Sequence, residues 1–134
     1  MFNFLKKLFG PGLFSPITKH NLTSAEEESI KIAWARVENY LSISSPSSLR
    51  QAVVEADKIF DKALKSLVTG ETMGERLKNA KNLFRDYQDY QDVWEAHKIR
   101  NAIVHEDSYE APYFVTKEAI SKFKKGLSDI GISV

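Results

Sequence analysis

Apolar side chains recur at intervals of three or four residues through most of the chain, and this spacing most constrains the fold. The interval matches one face of an α-helix, and no run alternates with a period of two for long enough to indicate a strand. The clearest rows are Ile30, Trp34, Val37 and Leu41; Leu49, Val53, Ala56, Phe60, Ala63 and Leu67; and Ile120, Phe123, Leu127 and Ile130. Because short connections join these rows, the sequence predicts an all-α protein, an antiparallel bundle of four to five helices.

Capping residues and helix breakers set the predicted helix boundaries. A hydroxyl at the cap followed three residues later by Glu forms a capping box, and proline fits the first helical turn, where a missing N–H costs nothing. The predicted helix starts are Ser24 with Glu27, Ser45 before Pro46, Thr72 with Glu75, and Thr116. Gly70 and Gly131 indicate helix ends, and residues 106–112 a loop. The tyrosine-rich stretch 86–92 is either the connection to the fourth helix or its first turn.

The first 22 residues form a separate segment by composition. Residues 1–10 are mostly apolar, but Lys6 and Lys7 interrupt them and Gly10-Pro11-Gly12 follows. This run is too short to cross a bilayer, which needs about 20 apolar residues, and lacks the unbroken apolar stretch of a secretory signal. We therefore assign 1–22 to an amphipathic, flexible segment with a linker and 23–134 to a helical domain. Residues 1–9 have three alternative roles: weak peripheral contact with a membrane, docking on the domain or a partner, or a disordered tail.

Charge and cysteine content exclude several classes of function. The 134 residues carry a formal net charge of +1 and include no cysteine. Contact with nucleic acid therefore requires a local patch, because no bulk field attracts a polyanion. A disulfide framework, a thiolate nucleophile and a cysteine zinc site are excluded, which fits a cytoplasmic location. Since no carboxylate cluster suited to magnesium is evident, we expect neither a metal site nor a cofactor.

Polar side chains interrupt the apolar pattern of the fourth predicted helix. His97 and Asn101 share one face, and Arg100 lies next to that face. Asp57 stands at the margin of the apolar stripe of the second helix, where it is a candidate partner for Arg100, although a solvated or helix-paired carboxylate is the simpler interpretation. These groups are either polar residues at the edge of the core, satisfied by hydrogen bonds, or parts of a site. Arg100 and His105 are roughly 140° apart on an unbroken helix, so they would meet only if the helix ended between them.

The sequence Arg100-Asn-Ala-Ile-Val-His105 resembles the signature of the HEPN superfamily (higher eukaryotes and prokaryotes nucleotide-binding). That signature is an arginine, usually followed by a polar residue, with a histidine about four to six residues beyond it. Glu95-Ala-His97, Glu106 and the upstream Val54-Glu-Ala-Asp57 are also similar to this family. The resemblance covers about residues 25–130 and implies a HEPN-like four-helix bundle.

The resemblance implies a metal-independent endoribonuclease that uses the RNA's own 2′-hydroxyl as nucleophile. Arg100 would bind the scissile phosphate with its planar, permanently charged guanidinium, and His105 would be the general base or acid. Asn101 would orient one of these groups or a phosphate oxygen. The second-line candidates are His97, Asp57 and Glu106. Family members commonly act as homodimers with both motifs facing one cleft, which would let Arg100 and His105 meet across a two-fold axis.

Basic side chains near the motif are the candidates for RNA contact. Lys78, Lys81 and Arg85 are predicted on one side of the third helix, and Lys98 lies beside the motif; an ordinary solvated face is the simpler interpretation. Besides RNA and a second copy, an antitoxin or regulatory protein is a candidate partner. Two alternative functions are a non-catalytic HEPN-like module that binds RNA, nucleotide or protein, and an adaptor that uses an N-terminal docking segment.

Overall fold

A computed structural model describes residues 22–134, and this part of the chain is an all-helical bundle without strands. Its helices are α1 (Ser24–Ile43), α2 (Pro46–Leu67), α3 (Met73–Asn79), a short 3-10 helix (Lys81–Leu83), α4 (Tyr87–His105) and α5 (Tyr113–Asp129). The predicted fold class is therefore confirmed at the level of a helical bundle. The predictions for residues 1–9 and for most of the linker lie outside the described residues.

Side-chain caps determine where the first two helices begin. Thr23 caps α1, because its hydroxyl accepts the Glu26 N–H at 3.1 Å and the Glu26 carboxylate accepts the Thr23 N–H at 2.9 Å. The predicted box of Ser24 with Glu27 is wrong by one residue, since both sequence registers satisfy the same pattern. Ser45 caps α2 with proline at the first helical position, as predicted.

The third and last helices differ from their predicted extents. Thr72 caps α3 as predicted, but α3 ends at Asn79 and the chain continues as the 3-10 helix. The last helix begins at Tyr113 directly after Pro112, so Thr116 is not its cap. Thr116 is instead 1% exposed inside α5, and its hydroxyl donates to the Tyr113 carbonyl oxygen at 2.7 Å. Proline thus starts this helix through its fixed φ rather than through a side-chain cap.

The four long helices run alternately up and down. Ser66 near the end of α2 donates to Glu26 near the start of α1 at 2.7 Å, so these two helices are antiparallel. Lys122 of α5 donates to Glu95 of α4 at 2.9 Å. Arg85, just before α4, donates to the Ser128 carbonyl oxygen near the end of α5 at 3.1 Å, so this second pair is also antiparallel. Asp57 of α2 pairs with Arg100 of α4, while the earlier Arg50 and the later Val104 line one groove, so α2 and α4 are antiparallel as well.

One end of the bundle, which we call the His105 end, contains the connection between α1 and α2 and residues 105–113. There Lys117 donates a hydrogen bond to the Tyr113 hydroxyl at 2.8 Å, and Ser44 forms a second one. These bonds lower the pKa of Tyr113 from its ordinary value. Residues 22 and 134 both lie near the opposite end, because α1 starts there and α5 finishes there.

Aromatic and branched side chains fill the space between α2, α4 and α5. Phe60 and Phe123 are fully buried, with ring centroids 5.9 Å apart. Gly126 of α5 faces them, and a Cβ built there would overlap the Val93 side chain. The close approach of α5 to α2 and α4 therefore depends on the missing side chain.

The last residues return to this core. Gly131 adopts a φ of +105°, which glycine tolerates, and the Ile132 N–H donates to the Leu127 carbonyl oxygen at 2.8 Å. Ile132 is consequently buried beneath the end of α5.

Candidate functional site

A buried carboxylate on α2 contacts two nitrogen-bearing side chains of α4. Asp57 is 4% exposed, and its Oδ1 lies 2.7 Å from His97 Nδ1. Its Oδ2 lies 3.4 Å from Arg100 Nε. Because His97 and Arg100 are one turn apart on the same helix, a single carboxylate reaches both. Asp57 is therefore an ion-pair partner of Arg100, and the simpler interpretation of a solvated or helix-paired carboxylate is wrong because the side chain is buried against α4.

The Arg100 guanidinium is held on two edges and is open to solvent elsewhere. The ion pair with Asp57 is electrostatic rather than a formed hydrogen bond, because Nε is buried and its N–H has no acceptor in suitable geometry within residues 22–134. Nη1 donates to Asn101 Oδ1 at 2.9 Å. The side chain is 31% exposed, so part of the cation remains available to an anion from solvent.

Asn101 connects the arginine to the histidine. Its Oδ1 accepts from Arg100, which turns its Nδ2 toward His97 Nε2 at 3.5 Å. An amide nitrogen can only donate, so this orientation assigns His97 Nε2 as an acceptor and Nδ1–H as the donor to Asp57. The four side chains thereby form one hydrogen-bonded network with a consistent direction of donation. His97 is 12% exposed, and its ring packs edge-on against Trp94 with centroids 6.1 Å apart.

His105 stands apart from this network. Helix α4 continues to His105, which is its last residue, so the expected helix end between Arg100 and His105 is not found. The two side chains lie roughly 140° apart around the helix, while Asn101, four residues before His105, lies on nearly the same face as it. Within residues 22–134, no hydrogen bond or ion pair reaches the exposed His105 side chain.

The basic residues predicted for RNA contact do not form one helical row. Lys78 is near the end of α3, Lys81 begins the 3-10 helix, and Arg85 follows both. Arg85 binds Ser128 and lies 3.9 Å from Asp129. The prediction that these three residues share one side of a helix is wrong, because α3 is too short to contain them.

Two further predicted residues are solvent-exposed near the motif. Lys98 lies on the outer surface of α4, and Glu106 is the cap residue after its last turn. The Glu106 side chain forms no hydrogen bond or ion pair with any described residue, and neither does that of Lys98. Both remain candidates by position alone.

Two grooves flank α4. A groove of about 380 Å³ lies between α2 and α4 toward the His105 end, lined by Ser47, Arg50, Gln51, Val54, Ile103 and Val104. A groove of about 340 Å³ lies between α4 and α5, with Ala96, Ile99, Val115 and Ala119 among its lining residues. Sequence analysis did not single out Arg50, because an exposed cation on an amphipathic helix has no distinguishing local signal.

Metal-ligating side chains do not cluster in the described part of the chain, where no group of three or more His, Asp or Glu residues could hold an ion. Asp57 and His97 do approach each other, but as a directly hydrogen-bonded pair. Nor does any helix within residues 22–134 have the length and apolar character needed to cross a membrane.

Comparisons of the chain with protein-family models, curated proteins and solved structures give no match.

Proposed function

We propose that the protein is a HEPN-like, metal-independent endoribonuclease that acts as a homodimer. The observation that carries this proposal is the buried Asp57 carboxylate, which holds Arg100 beside His97 while leaving part of the guanidinium accessible. A fixed, partly exposed guanidinium is suited to bind a phosphate, because its remaining N–H groups can donate to two phosphate oxygens.

The reaction requires a proton acceptor, a proton donor and a cation. The acceptor removes the proton of the ribose 2′-hydroxyl, and the 2′-oxygen forms a bond to phosphorus. The bond from phosphorus to the 5′-oxygen breaks, and the donor protonates that oxygen. The products are a 2′,3′-cyclic phosphate and a 5′-hydroxyl. His105 supplies the acid or base and a water molecule supplies the other proton-transfer group, while Arg100 stabilises the charge on the phosphoryl oxygens and Asn101 positions the guanidinium.

A second copy is needed because Arg100 and His105 lie on different sides of one continuous helix. The His105 end offers a surface for such a copy, since four large apolar side chains there are exposed: Ile43, Val104, Tyr113 and Phe114. Val104, 44% exposed, is the immediate neighbour of His105. Apolar contact at this end would bring His105 of each protomer close to its partner, where it would complete the site of that partner.

A second candidate function is an RNA-binding module without cleavage. The unbroken helix up to His105 favours it, because an isolated protomer does not bring Arg100 and His105 together. The adaptor alternative depends on residues 1–9, which lie outside the described residues. An antitoxin or regulatory partner and a cytoplasmic location remain predictions.

Incubation of the protein with mixed RNA in excess chelator tests the proposal. The parent should cleave and leave cyclic phosphate ends, and Arg100→Ala and His105→Ala should each lower kcat/KM by about a hundredfold or more. Arg36→Ala, which removes an exposed cation of α1 away from the candidate site, serves as the matched control and should retain most activity. RNA binding without cleavage by the parent would exclude the nuclease and favour the second candidate.

A further inference from the structure

We infer that the groove between α2 and α4 is a subsite for the RNA strand flanking the scissile bond, with Arg50 as its phosphate contact. This inference rests on the proposed function. It extends the site from one phosphate at Arg100 to a strand that crosses the bundle surface toward the His105 end.

The antiparallel packing of α2 and α4 places this groove beside the candidate site, toward the His105 end. Arg50 lies seven residues before Asp57, two turns along nearly the same face of α2, which is a rise of about 10.5 Å. On α4, Val104 lies four residues after Arg100, so it is displaced in the same direction. Since Arg50 and Val104 line the same groove, the groove lies one to two helical turns from the network around Arg100.

Arg50 carries a charge that no described residue neutralises. Arg76 is bound by Asp61 at 2.8 Å, Arg85 lies near Asp129, and Arg100 faces Asp57. In contrast, the exposed Arg50 side chain has no hydrogen bond or ion pair within residues 22–134. Its full charge is therefore available to an anion in the groove.

The spacing and lining of the groove fit a polyanionic strand better than a single phosphate. The rise of about 10 Å along α2 from the level of Asp57 to Arg50 corresponds to roughly three nucleotides of a stacked strand, at about 3.4 Å each, or fewer nucleotides of an extended one. Val54 and Ile103 also line the groove, and their apolar surfaces can contact ribose and base faces without selecting a sequence. The subsite would consequently add affinity and substrate length dependence, not base specificity.

Binding measurements test the subsite independently of cleavage. The probe is a fluorescein-labelled RNA hexanucleotide pool of random sequence with 2′-O-methyl riboses, which cannot be cleaved by the proposed reaction. Arg50→Ala should weaken binding about three- to tenfold and reduce the slope of log affinity against log salt by about 0.7. Arg36→Ala is the matched control, because Arg36 is exposed on α1, outside the groove, and is also unpaired within residues 22–134.

Substrate length provides the second measurement. A labelled dinucleotide of the same chemistry has one internucleotide phosphate, so its affinity should be equal for the parent and Arg50→Ala. The subsite is rejected if Arg50→Ala and Arg36→Ala bind the hexanucleotide with equal affinity. It is also rejected if Arg50→Ala lowers the affinity for the dinucleotide and the hexanucleotide by the same factor. Both outcomes reject it even when the parent cleaves RNA. If Arg50→Ala alone weakens the hexanucleotide while the parent cleaves nothing, the groove stands and the nuclease proposal fails. Absence of hexanucleotide binding by the parent rejects the subsite.

Discussion

Asp57 is the residue on which the candidate site depends. Its carboxylate is 4% exposed and faces an imidazole on one oxygen and a guanidinium on the other. Water cannot replace these contacts easily at such low exposure. Loss of the carboxylate therefore costs more than the contacts themselves contribute, because the buried Arg100 Nε and His97 Nδ1 lose the charge that faces them.

We predict that Asp57→Ala lowers the free energy of unfolding by about 3 kcal/mol. Glu28→Ala, which removes an exposed carboxylate from α1, should change it by less than about 0.5 kcal/mol. Urea unfolding followed by circular dichroism measures both. Asp57→Asn removes the charge but keeps the shape of the side chain. If both Asp57 variants lose as little free energy of unfolding as Glu28→Ala does, a central role for this carboxylate is contradicted.

The sequence predicts the members of this network better than their contacts. Helical spacing groups His97, Arg100 and Asn101, and the interrupted apolar stripe marks Asp57 as unusual. The pairing of each oxygen with a particular nitrogen depends on how α2 crosses α4, which neither helix encodes alone. Arg50 is missed for the same reason, since only the packed helices form the groove that it lines.

At the scale of elements, the contact between α4 and α5 contains two neighbouring carboxylates. Burial raises the pKa of Asp89, and Asp129 raises it further, while Lys125 opposes the shift. Between the ordinary value of 3.8 and the raised pKa, the native state binds more protons than the unfolded state. The contribution of Asp89 to the free energy of unfolding is accordingly greatest at low pH and falls as the pH rises through that interval.

Asp89→Asn should remove this pH dependence and raise the free energy of unfolding at neutral pH by up to about 1 kcal/mol. An amide has no charge to desolvate and can donate to Asp129, whereas the lost pair with Lys125 is weak because Lys125 is 62% exposed. Urea unfolding from about pH 4 to about pH 7 measures the effect. Asp107→Asn in the exposed loop is the control, and a lower stability of Asp89→Asn at neutral pH would show that the Lys125 pair dominates.

Gly126→Ala tests the close approach of α5. The added Cβ would overlap the Val93 side chain and lie 2.9 Å from Phe60 Cε2, so we expect a loss of about 2 kcal/mol. Gly74→Ala is the matched substitution, since its Cβ would lie at an ordinary 3.4 Å from Trp94 Cη2 and should stabilise by about 0.5 kcal/mol. Thermal unfolding compares them, and equal melting temperatures would refute the packing argument.

Helix existence is more predictable than helix boundaries in this chain. The stripes of α2 and α5 and the Ser45-Pro46 start are visible in the sequence, because each is a local pattern. The start of α1 is ambiguous because consecutive hydroxyl and Glu residues provide two capping registers. The short α3 and the position of Thr116 are decided by packing, since an apolar environment buries a threonine that local rules place at a helix start.

At the scale of the molecule, the proposed nuclease requires two protomers. If Arg100 of one protomer acts with His105 of the other, coexpressed Arg100→Ala and His105→Ala chains should recover activity. Random pairing makes about half of the dimers mixed, each with one intact site of two, so about a quarter of the parent activity is expected. Light scattering of the parent checks for the dimer. Absence of recovery in proven mixed dimers would mean that the two residues do not act across the interface.

The positions of residues 22 and 134 have a practical consequence. Both lie near the end of the bundle remote from His105. The distance between the two ends is set by helices such as α1, whose 20 residues span about 30 Å. A tether attached before residue 22 or after residue 134 would thus leave the groove facing outward. Protein immobilised on a biosensor chip should bind oligonucleotides with the same affinity as protein free in solution. Removal of residues 132–134 to shorten the tether would uncover the core beneath Ile132.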